Sequence, residues 1–297
     1  MKSIQIFILS YNRPDYLRVA LQSLLNQSDL ELFDIIVSDN SSKDEVESMM
    51  NTEFCEIKCL RRSPSLSSSE HFVSVLQDVS SEYFMLFHDD DIMEPQMVRS
   101  LYDVIMNNPN IVSVACNGWY YKNSTQKVFG ILSQENDCIF RQGSELIKKY
   151  LNLQGVAPFS GYLYKTSAYK TPDGFLALNK CGKHSDVAFI AVGFASGNIV
   201  WLANKLMHYR LHDNNDSGTL NIADTNLLLE YFIEMSYVKK SSWALSAYKM
   251  NNFIAAHSLY GISLSNYIIK HLHVFLLYYV PLRLFRKMQS ILMRLKV

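Results

Sequence analysis

The sequence predicts an α/β fold in which a mostly parallel sheet is flanked by helices and followed by a C-terminal helical extension. Short apolar runs alternate with segments of helical periodicity over the first 115 residues, an order typical of parallel sheets with right-handed crossovers. Polar residues directly follow several of these runs, as at the ligand-binding edge of such sheets. From about Asn226 the pattern stays helical.

The elements follow one another in a regular order. Residues 11–14, with the sequence Tyr-Asn-Arg-Pro, separate the first strand from the first helix, and Pro95 suits the first turn of a later helix. A serine cluster at 63–69 predicts a loop. The predicted strands are residues 4–9, 34–38, 56–60, 83–87 and 111–115. The predicted helices are residues 17–25, 72–79 and 95–106.

The composition excludes several classes of protein. A chain of 297 residues, 48% apolar and 19% charged, can bury a large core and is unlike disordered, collagenous or disulfide-scaffold proteins. Equal numbers of basic and acidic residues, 28 of each, argue against a nucleic-acid-binding protein. Five scattered cysteines without a CxxC pair predict reduced thiols in a cytosolic protein. The sequence is expected to lack a signal peptide and a membrane-spanning helix.

Charge is distributed unevenly along the chain. No Asp or Glu follows Glu234, whereas nine basic residues do, which leaves 19 basic against 28 acidic residues before that point. In this tail, aliphatic and aromatic side chains over 268–279 precede Arg283, Arg286 and Lys287. The pattern predicts a helix at the surface of an anionic membrane. Core helices with a basic outer face, or a dimer interface, are alternatives.

Two groups of polar residues lie at predicted strand ends. Asp89, Asp90 and Asp91 follow the fourth strand, and adjacent carboxylates are tolerated where a cation lies among them. Such ligands suit Mg²⁺ or Mn²⁺, although an acidic turn that caps the next helix is an alternative. Asp39 follows the second strand, where its carboxylate either accepts hydrogen bonds from a base or ribose or forms an Asx turn.

Residues 8–14, 36–44 and 82–95 together resemble motifs of the family 2 glycosyltransferases, which have the GT-A fold. They read Ile-Leu-Ser-Tyr-Asn-Arg-Pro, Ile-Val-Ser-Asp-Asn-Ser-Ser-Lys-Asp and Glu-Tyr-Phe-Met-Leu-Phe-His-Asp-Asp-Asp-Ile-Met-Glu-Pro. Their order and spacing agree with the family over residues 1 to about 215. The resemblance therefore implies a nucleotide-sugar donor and a Mn²⁺ or Mg²⁺ cofactor.

The same resemblance implies roles for the matched residues. His88 stands where many members have the first aspartate of the metal motif, so Asp90 is favoured most as a metal ligand. The metal ligands implied are Asp90, Asp91 and His212. The residues implied to bind the donor are Tyr11, Arg13, Asp39, Asp89, Asp90, Arg210 and His212.

A catalytic base is implied by residues 183–189, which resemble an acidic motif at the head of a helix. Ser185 replaces the usual glutamate of this motif, so the base is Asp186, which would take the proton of the acceptor hydroxyl. The alternative for Asp186 is a helix N-terminal residue favoured by the macrodipole.

Residues 208–212 resemble a Tyr-Arg-x-His segment of the same family. In it, Arg210 would neutralise charge on the leaving group and His212 would approach the diphosphate and the metal. Residues 159–161 are expected to shape the acceptor pocket, or to form a simple turn before a strand at 162–165. Residues 213–218 have the composition of a mobile lid.

The resemblance divides the chain into three parts. Residues 1–115 would form the nucleotide-sugar-binding half of a GT-A domain, 116–220 its acceptor-binding half, and 221–297 a basic helical region that contacts the membrane. The implied activity is inverting transfer of a sugar, from a UDP-sugar by preference, to a glycan or polyprenyl-linked acceptor in bacterial cell-surface polysaccharide synthesis. The expected location is the cytoplasmic face of the membrane, with a homodimer as one possibility. The alternatives are an inactive nucleotide-binding scaffold and a phosphotransfer protein with a phosphoacceptor among Asp89–Asp91.

Overall fold

The computed structural model of the protein describes residues 2–122, 126–130, 136–212 and 221–260, together with residues 276, 277, 280, 281, 283, 284 and 287. The chain divides into two compact units. The first consists of Met1–Gln142 and Ala157–Asp213, and the second of Gly143–Val156 and Asn214–Val297. The functional divisions expected at residues 115 and 220 stay predictions.

Ten strands of the described chain form one sheet, which lies in the first unit. They are β1 Ile4–Ser10, β2 Phe33–Asp39, β3 Lys58–Arg61, β4 Tyr83–His88, β5 Ile92–Met93, β6 Ile111–Lys122, β7 Gln126–Gly130, β8 Cys138–Phe140, β9 Tyr162–Lys165 and β10 Asn198–Arg210. The helices are α1 Pro14–Leu25, α2 Glu45–Glu53, α3 Ser68–Asp78, α4 Met97–Met106, α5 Gly143–Leu151, α6 Thr166–Tyr169, α7 Pro172–Lys180, α8 Ser185–Val192, α9 Ile222–Glu234 and α10 Trp243–Tyr260.

The order of the strands brings several carboxyl ends to one edge. The sheet runs β3-β2-β1-β4-β9-β6-β10-β5, and its first four strands are parallel. Strand β9 is antiparallel to both β4 and β6, so these two run in the same direction, and β10 is parallel to β6. The ends of β1, β2, β3, β4 and β10 therefore lie along one edge. The predicted α/β fold with a mostly parallel sheet and C-terminal helices is confirmed.

Helix α1 shows how the local sequence builds the layer beside the sheet. Pro14 occupies its first turn, where a missing N–H costs no hydrogen bond. Leu17, Ala20, Leu21 and Leu24 recur at helical spacing and are completely buried in the same core as the side chains of β1 and β4. The amphipathic period of the sequence and the packing thus agree.

The structure differs from the sequence predictions in several elements, and helix α2 at Glu45–Glu53 was not predicted at all. Helix α4 begins at Met97 rather than Pro95, because Ile92–Met93 pairs with β10 and the chain turns before the helix starts. Strand β6 continues to Lys122, well past residue 115, and pairs with β10 over most of its length. Helix α3 begins at Ser68 inside the predicted serine loop.

The second unit is helical where it is described. The ring of Tyr150 in α5 packs against Phe232 of α9 and Tyr248 of α10, and the Tyr248 hydroxyl donates to Tyr150 Oη at 2.9 Å. Leu276, Leu277 and Leu284 are exposed. Most of the predicted membrane segment, and the predicted lid at 213–218, lie outside the described residues. No helix in the described parts of the chain has both the length and the apolar character to cross a membrane.

Candidate active site

The candidate site lies at the sheet edge where β1, β2, β4 and β10 end. Strand β4 delivers His88 and then Asp89, Asp90 and Asp91, while the segment after β1 delivers Tyr11 and Arg13. The three carboxylates are 0%, 7% and 1% exposed, so they are not a solvated acidic turn. Burying three neighbouring carboxylates is costly unless positive groups or hydrogen bonds accompany them.

Asp89 is held by the segment that follows β1. Its Oδ2 accepts a hydrogen bond from the backbone N–H of Tyr11 at 3.1 Å, and Arg13 Nη2 lies 2.7 Å from its Oδ1. Burial raises the pKa of Asp89 to about 7, although the Arg13 guanidinium works in the opposite direction. Two predicted donor-binding residues, Tyr11 and Arg13, are therefore in direct contact with the acidic motif.

Asp90 receives two further groups on one oxygen. Arg13 Nη1 donates to Asp90 Oδ2 at 2.8 Å, and His212 Nε2 lies 2.9 Å from the same atom. Burial alone would raise the pKa of Asp90, but His88, Arg13 and His212 together lower it below its ordinary value. Asp90 is thus the carboxylate of the motif most strongly held in its charged form.

Asp91 is almost completely buried, and its two oxygens differ in their contacts. Its Oδ1 accepts from the backbone N–H of Arg210 at 3.1 Å, whereas Oδ2 is buried without a hydrogen-bond partner. Burial and the neighbouring Asp90 raise its pKa well above the ordinary value. An unpartnered buried carboxylate oxygen of this kind is a suitable ligand for a cation.

Arg210 is fixed between two aromatic rings beside this motif. Its guanidinium lies 4.6 Å from the ring centroid of Tyr16 and 4.9 Å from that of Tyr121, and its Nε donates to the carbonyl of Asp90 at 2.8 Å. The ring of Tyr16 also packs against His212 at 5.3 Å. Arg210 and His212 are therefore assembled with the acidic motif, and Tyr16 is a site residue that sequence reasoning missed.

The donor set fits a divalent metal ion. One ligand atom each from His88, Asp90 and Asp91 lies within 4.8 Å of the others. Carboxylate oxygens with one imidazole suit Mn²⁺ well and Mg²⁺ less so. His88 is thus a candidate ligand rather than only a departure from the family motif, and its place directly before the acidic triplet was the available signal.

Asp39 lies at the end of β2 and is completely buried. Its Oδ1 accepts from the backbone N–H of Ser41 at 2.9 Å, which forms the Asx turn given as the alternative for Asp39, and its Oδ2 pairs with Arg61 Nη1 at 2.5 Å. Binding of a base or ribose by Asp39 stays a prediction. Arg61 ends the adjacent parallel strand in register with Asp39 and also reaches Asp44 at 3.2 Å. Arg61 was not predicted, because its position opposite Asp39 depends on strand pairing.

A buried polar network supports this end of the site. Ser38 Oγ lies 2.8 Å from His71 Nε2 and accepts from Arg62 Nε at 3.0 Å, and Arg62 in turn pairs with Asp78. Burial lowers the pKa of His71 to about 4, so its imidazole is neutral at physiological pH. The network of a neutral imidazole and the Arg62–Asp78 ion pair therefore fixes the strand end that carries Asp39.

Asp186 lies in the first turn of α8, close to a group of buried aromatic rings. Burial raises its pKa to about 6, although its hydrogen bonds from the backbone of Asp186 and Val187 oppose the shift. The charge of Asp186 acts in turn on Tyr162 and Tyr164, whose pKa values are raised by burial first. A carboxylate with this pKa can act as a base near neutral pH.

The segment Phe159–Gly161 lies directly against His88. Ser160 Oγ accepts from the backbone N–H of His88 at 3.2 Å, and the ring of Phe159 is 5.9 Å from the His88 imidazole. The ring of Phe72 packs edge-on against Phe159 at 5.4 Å. This segment therefore supports the metal-ligand set, and a role in the acceptor pocket stays a prediction.

Comparison with known proteins identifies the family. The model for Glycosyl transferase family 2 matches residues 5–166, which is more than half of the chain. The chain belongs to glycosyl transferase family 2. The match spans β1 to β9 and so includes the segments that carry Asp39 and the acidic motif of this glycosyltransferase. No curated protein sequence matches it.

Solved structures show the same fold as this family 2 glycosyltransferase. Residues 1–349 of S. aureus TarS, in complex with UDP-GlcNAc, superpose with a TM-score of 0.61 at 12% identity, covering 90% of this chain and 75% of that one. The mannosyltransferase PcManGT from Pyrobaculum calidifontis, in complex with GDP-Man and Mn²⁺, gives 0.57 at 11% identity, covering 97% and 84%. The predicted family and the GT-A fold are confirmed.

Proposed function

We propose that the protein is a metal-dependent, inverting glycosyltransferase that moves a sugar from a nucleotide-diphosphate donor to a hydroxyl of the acceptor. The observation that carries the proposal is the assembly of Asp39 and the buried Asp89–Asp91 motif at one sheet edge, with His88 completing a metal-ligand set. Solved structures of this fold with UDP-GlcNAc, or with GDP-Man and Mn²⁺, support it.

The donor would bind along this edge. Asp39 would accept hydrogen bonds from the base, with uracil favoured, while Arg61 holds the carboxylate in place. Tyr11 is 49% exposed beside Asp89 and offers an aromatic surface to the nucleotide. The base and the diphosphate would thus be recognised by residues from β1, β2 and the loop after β4.

His88, Asp90 and Asp91 would hold the metal, and His212 would support Asp90. When bound, the ion neutralises charge on the diphosphate leaving group as a Lewis acid. Arg210, fixed between Tyr16 and Tyr121, adds a positive charge on the same side of the motif.

Asp186 would act as the general base. It removes the proton from the acceptor hydroxyl, whose oxygen forms a bond to the anomeric carbon as the bond from that carbon to the phosphate oxygen breaks. The electron pair leaves with the nucleoside diphosphate, and a single displacement inverts the anomeric configuration. The pKa of Asp186, about 6, suits this role because the carboxyl is ionised at neutral pH and still basic enough to take a proton.

The acceptor and the location are proposed from the chain's charge distribution. A tail without acidic residues, rich in aromatic and basic side chains, supports contact with an anionic membrane and an acceptor carried on a polyprenyl lipid or glycan. The setting we propose is cell-surface polysaccharide synthesis at the cytoplasmic face of the membrane, with a homodimer as a further possibility. The proposed acceptor, location and homodimer do not depend on the chemical roles that we propose for the site residues.

The variant Asp186→Asn tests the chemical role of the base. We expect nucleotide-sugar binding to stay within about twofold of wild type, because within the described residues the groups that act on Asp186 are the backbone N–H groups of Asp186 and Val187 rather than the proposed donor residues, while transfer falls by about a hundredfold or more. Donor binding would be measured calorimetrically and transfer by release of the nucleoside diphosphate.

Asp173→Asn is the matched control for that experiment, because Asp173 also lies in the first turn of a helix but is exposed. It should leave both quantities unchanged. Full transfer activity in Asp186→Asn would exclude Asp186 as the base. Donor binding without any transfer in the wild type would instead favour a nucleotide-binding scaffold.

A further inference from the structure

We propose that Arg13 is a built-in counter-cation that competes with the divalent ion for Asp90. The inference rests on the proposed function in one respect, since it requires a metal ion at the acidic motif. Arg13 would thus weaken the binding of the metal ion, in addition to making the contact with the nucleotide that its sequence motif implies.

The guanidinium of Arg13 joins two buried carboxylates. Its Nη2 lies 2.7 Å from Asp89 Oδ1 and its Nη1 lies 2.8 Å from Asp90 Oδ2, while the arginine side chain itself is 31% exposed. One end of the side chain is therefore inserted into a region where the carboxylates are almost inaccessible to solvent. The contact with Asp90 is a charge-assisted hydrogen bond, which is among the strong hydrogen bonds of proteins, and the contact with Asp89 is an ion pair.

Helix capping does not explain this position. Arg13 is the N-cap residue of α1, but its side chain makes no capping hydrogen bond, and a positive charge is disfavoured at a helix N-terminus. The preceding residue, Asn12, has a left-handed backbone with φ of 54°, and its N–H donates to Ser41 Oγ at 2.8 Å. The chain is thus held in a less favourable conformation that directs Arg13 to the carboxylates.

The contacts of Asp90 mean that Arg13 and a metal ion compete for its carboxylate. Asp90 Oδ2 already has Arg13 Nη1 at 2.8 Å and His212 Nε2 at 2.9 Å, and those two nitrogens are only 3.3 Å apart. A divalent ion bound to the Asp90 carboxylate, at a ligand distance of about 2.1 Å, would lie close to the guanidinium and be repelled by it.

The Arg13 guanidinium can stay paired with Asp89 when a metal ion binds Asp90. Asp89 does not belong to the group of His88, Asp90 and Asp91 that can hold a metal, so Arg13 can keep its contact with Asp89 and release Asp90. A bound diphosphate would offer the released nitrogen a new anionic partner. Metal and nucleotide should therefore bind with positive coupling, and metal alone should bind weakly.

The test is Mn²⁺ affinity without nucleotide, measured by electron paramagnetic resonance of free Mn²⁺. We expect Arg13→Gln to bind Mn²⁺ at least about tenfold more tightly than wild type, because a like charge has been removed. Arg13→Lys keeps the charge and should stay within about threefold of wild type. Arg18→Gln is the control, since Arg18 follows in α1 but pairs with Asp15 and Glu53; its affinity should not change. Equal or weaker binding by Arg13→Gln would overturn the inference.

Thermal unfolding provides a second readout that is independent of activity. In EDTA, Arg13→Gln should unfold at a lower temperature than wild type, since two buried carboxylates lose their cation. Saturating Mn²⁺ should raise its unfolding temperature by more than it raises that of wild type, and a smaller increment would count against the inference. If neither wild type nor variant binds Mn²⁺, with or without UDP, the metal centre of the proposed function fails and this inference fails with it. If wild type binds Mn²⁺ and Arg13→Gln binds it equally, only the role of Arg13 is wrong.

Discussion

At the residue scale, burial decides which carboxylate can do which task. Asp186 has a pKa raised by burial to about 6, whereas the pKa of Asp90 is held below its ordinary value by His88, Arg13 and His212 in spite of burial. The first can exchange a proton near neutral pH, and the second stays charged as a ligand must. The acid–base and metal-binding roles that we propose for these two residues therefore differ because of their environments rather than their residue type.

The pH dependence of transfer follows from the pKa of Asp186. Below about pH 6 the carboxyl is protonated and cannot accept the proton of the acceptor hydroxyl, so kcat/KM should fall about tenfold per pH unit, and it should level off above that pH. The profile would be measured with saturating Mn²⁺, after checking that the protein stays folded at each pH. A rate that is flat from pH 4.5 to 7 would contradict the role of Asp186.

Sequence reasoning found the site residues that directly follow a strand along the chain. It missed the site residues that are brought into place by contacts between segments distant in sequence. Asp39 and Asp89–Asp91 were predicted because polar residues directly follow apolar strands. Arg61 reaches Asp39 only because β3 lies beside β2 in register, and Tyr16 reaches Arg210 only because the ends of distant strands converge. The spacing of apolar residues within a short segment does not show which distant segments lie side by side.

At the element scale, α3 shows a signal that was present but not used. Ser67 Oγ accepts from the backbone N–H of Glu70 at 3.4 Å and the Glu70 carboxylate accepts from the backbone N–H of Ser67, which is a complete capping box. The sequence Ser-Ser-Ser-Glu at 67–70 has the spacing of this motif. The helix carries His71 and Phe72, so its start fixes residues behind Asp39 and beside His88.

Removal of this cap should destabilise the protein measurably. Ser67→Ala should lower the free energy of unfolding by about 1 kcal/mol, because one helix N–H loses its partner. Chemical denaturation would measure the change, with Ser65→Ala in the exposed stretch just before the cap as the control. A loss no larger than that of the control would show that the capping box contributes nothing.

Also at the element scale, the sequence predicted the direction of only some of the strands. The parallel group of β3, β2, β1 and β4 follows from alternating strand and helix segments. The insertion of antiparallel β9 between β4 and β6, and the pairing of the two-residue β5 with β10, depend on contacts between distant segments. These pairings bring β10, and with it Arg210, to the acidic motif.

At the scale of the whole molecule, the zero net charge combines two opposite parts. Residues up to Glu234 carry an excess of acidic side chains, including every proposed ligand and base carboxylate, and the remainder carries nine basic residues and no acidic ones. A protein divided in this way can face an anionic surface with one part while the other binds a metal and a nucleotide.

Membrane contact through the tail is testable on the full-length chain. The wild type should float with vesicles that contain anionic lipid and not with neutral vesicles, and replacement of Arg283, Arg286 and Lys287 by glutamine should reduce flotation severalfold, since each basic residue contributes about 1 kcal/mol near an anionic surface. Replacement of Lys58, Lys122 and Lys170 in the first unit is the matched control. Equal flotation of both triple variants would argue against the tail as the anchor.

The most direct test of the central claim is Mn²⁺-dependent binding of nucleotide sugars. UDP-, GDP- and dTDP-sugars would be screened by thermal unfolding of the wild type and of Asp90→Asn, each with and without Mn²⁺. We predict that one nucleotide class raises the unfolding temperature of the wild type by about 5 °C at a hundredfold excess over its Kd, only with Mn²⁺, and that Asp90→Asn loses this shift. The account would be contradicted if no nucleotide sugar shifts the wild type, or if Asp90→Asn responds as the wild type does.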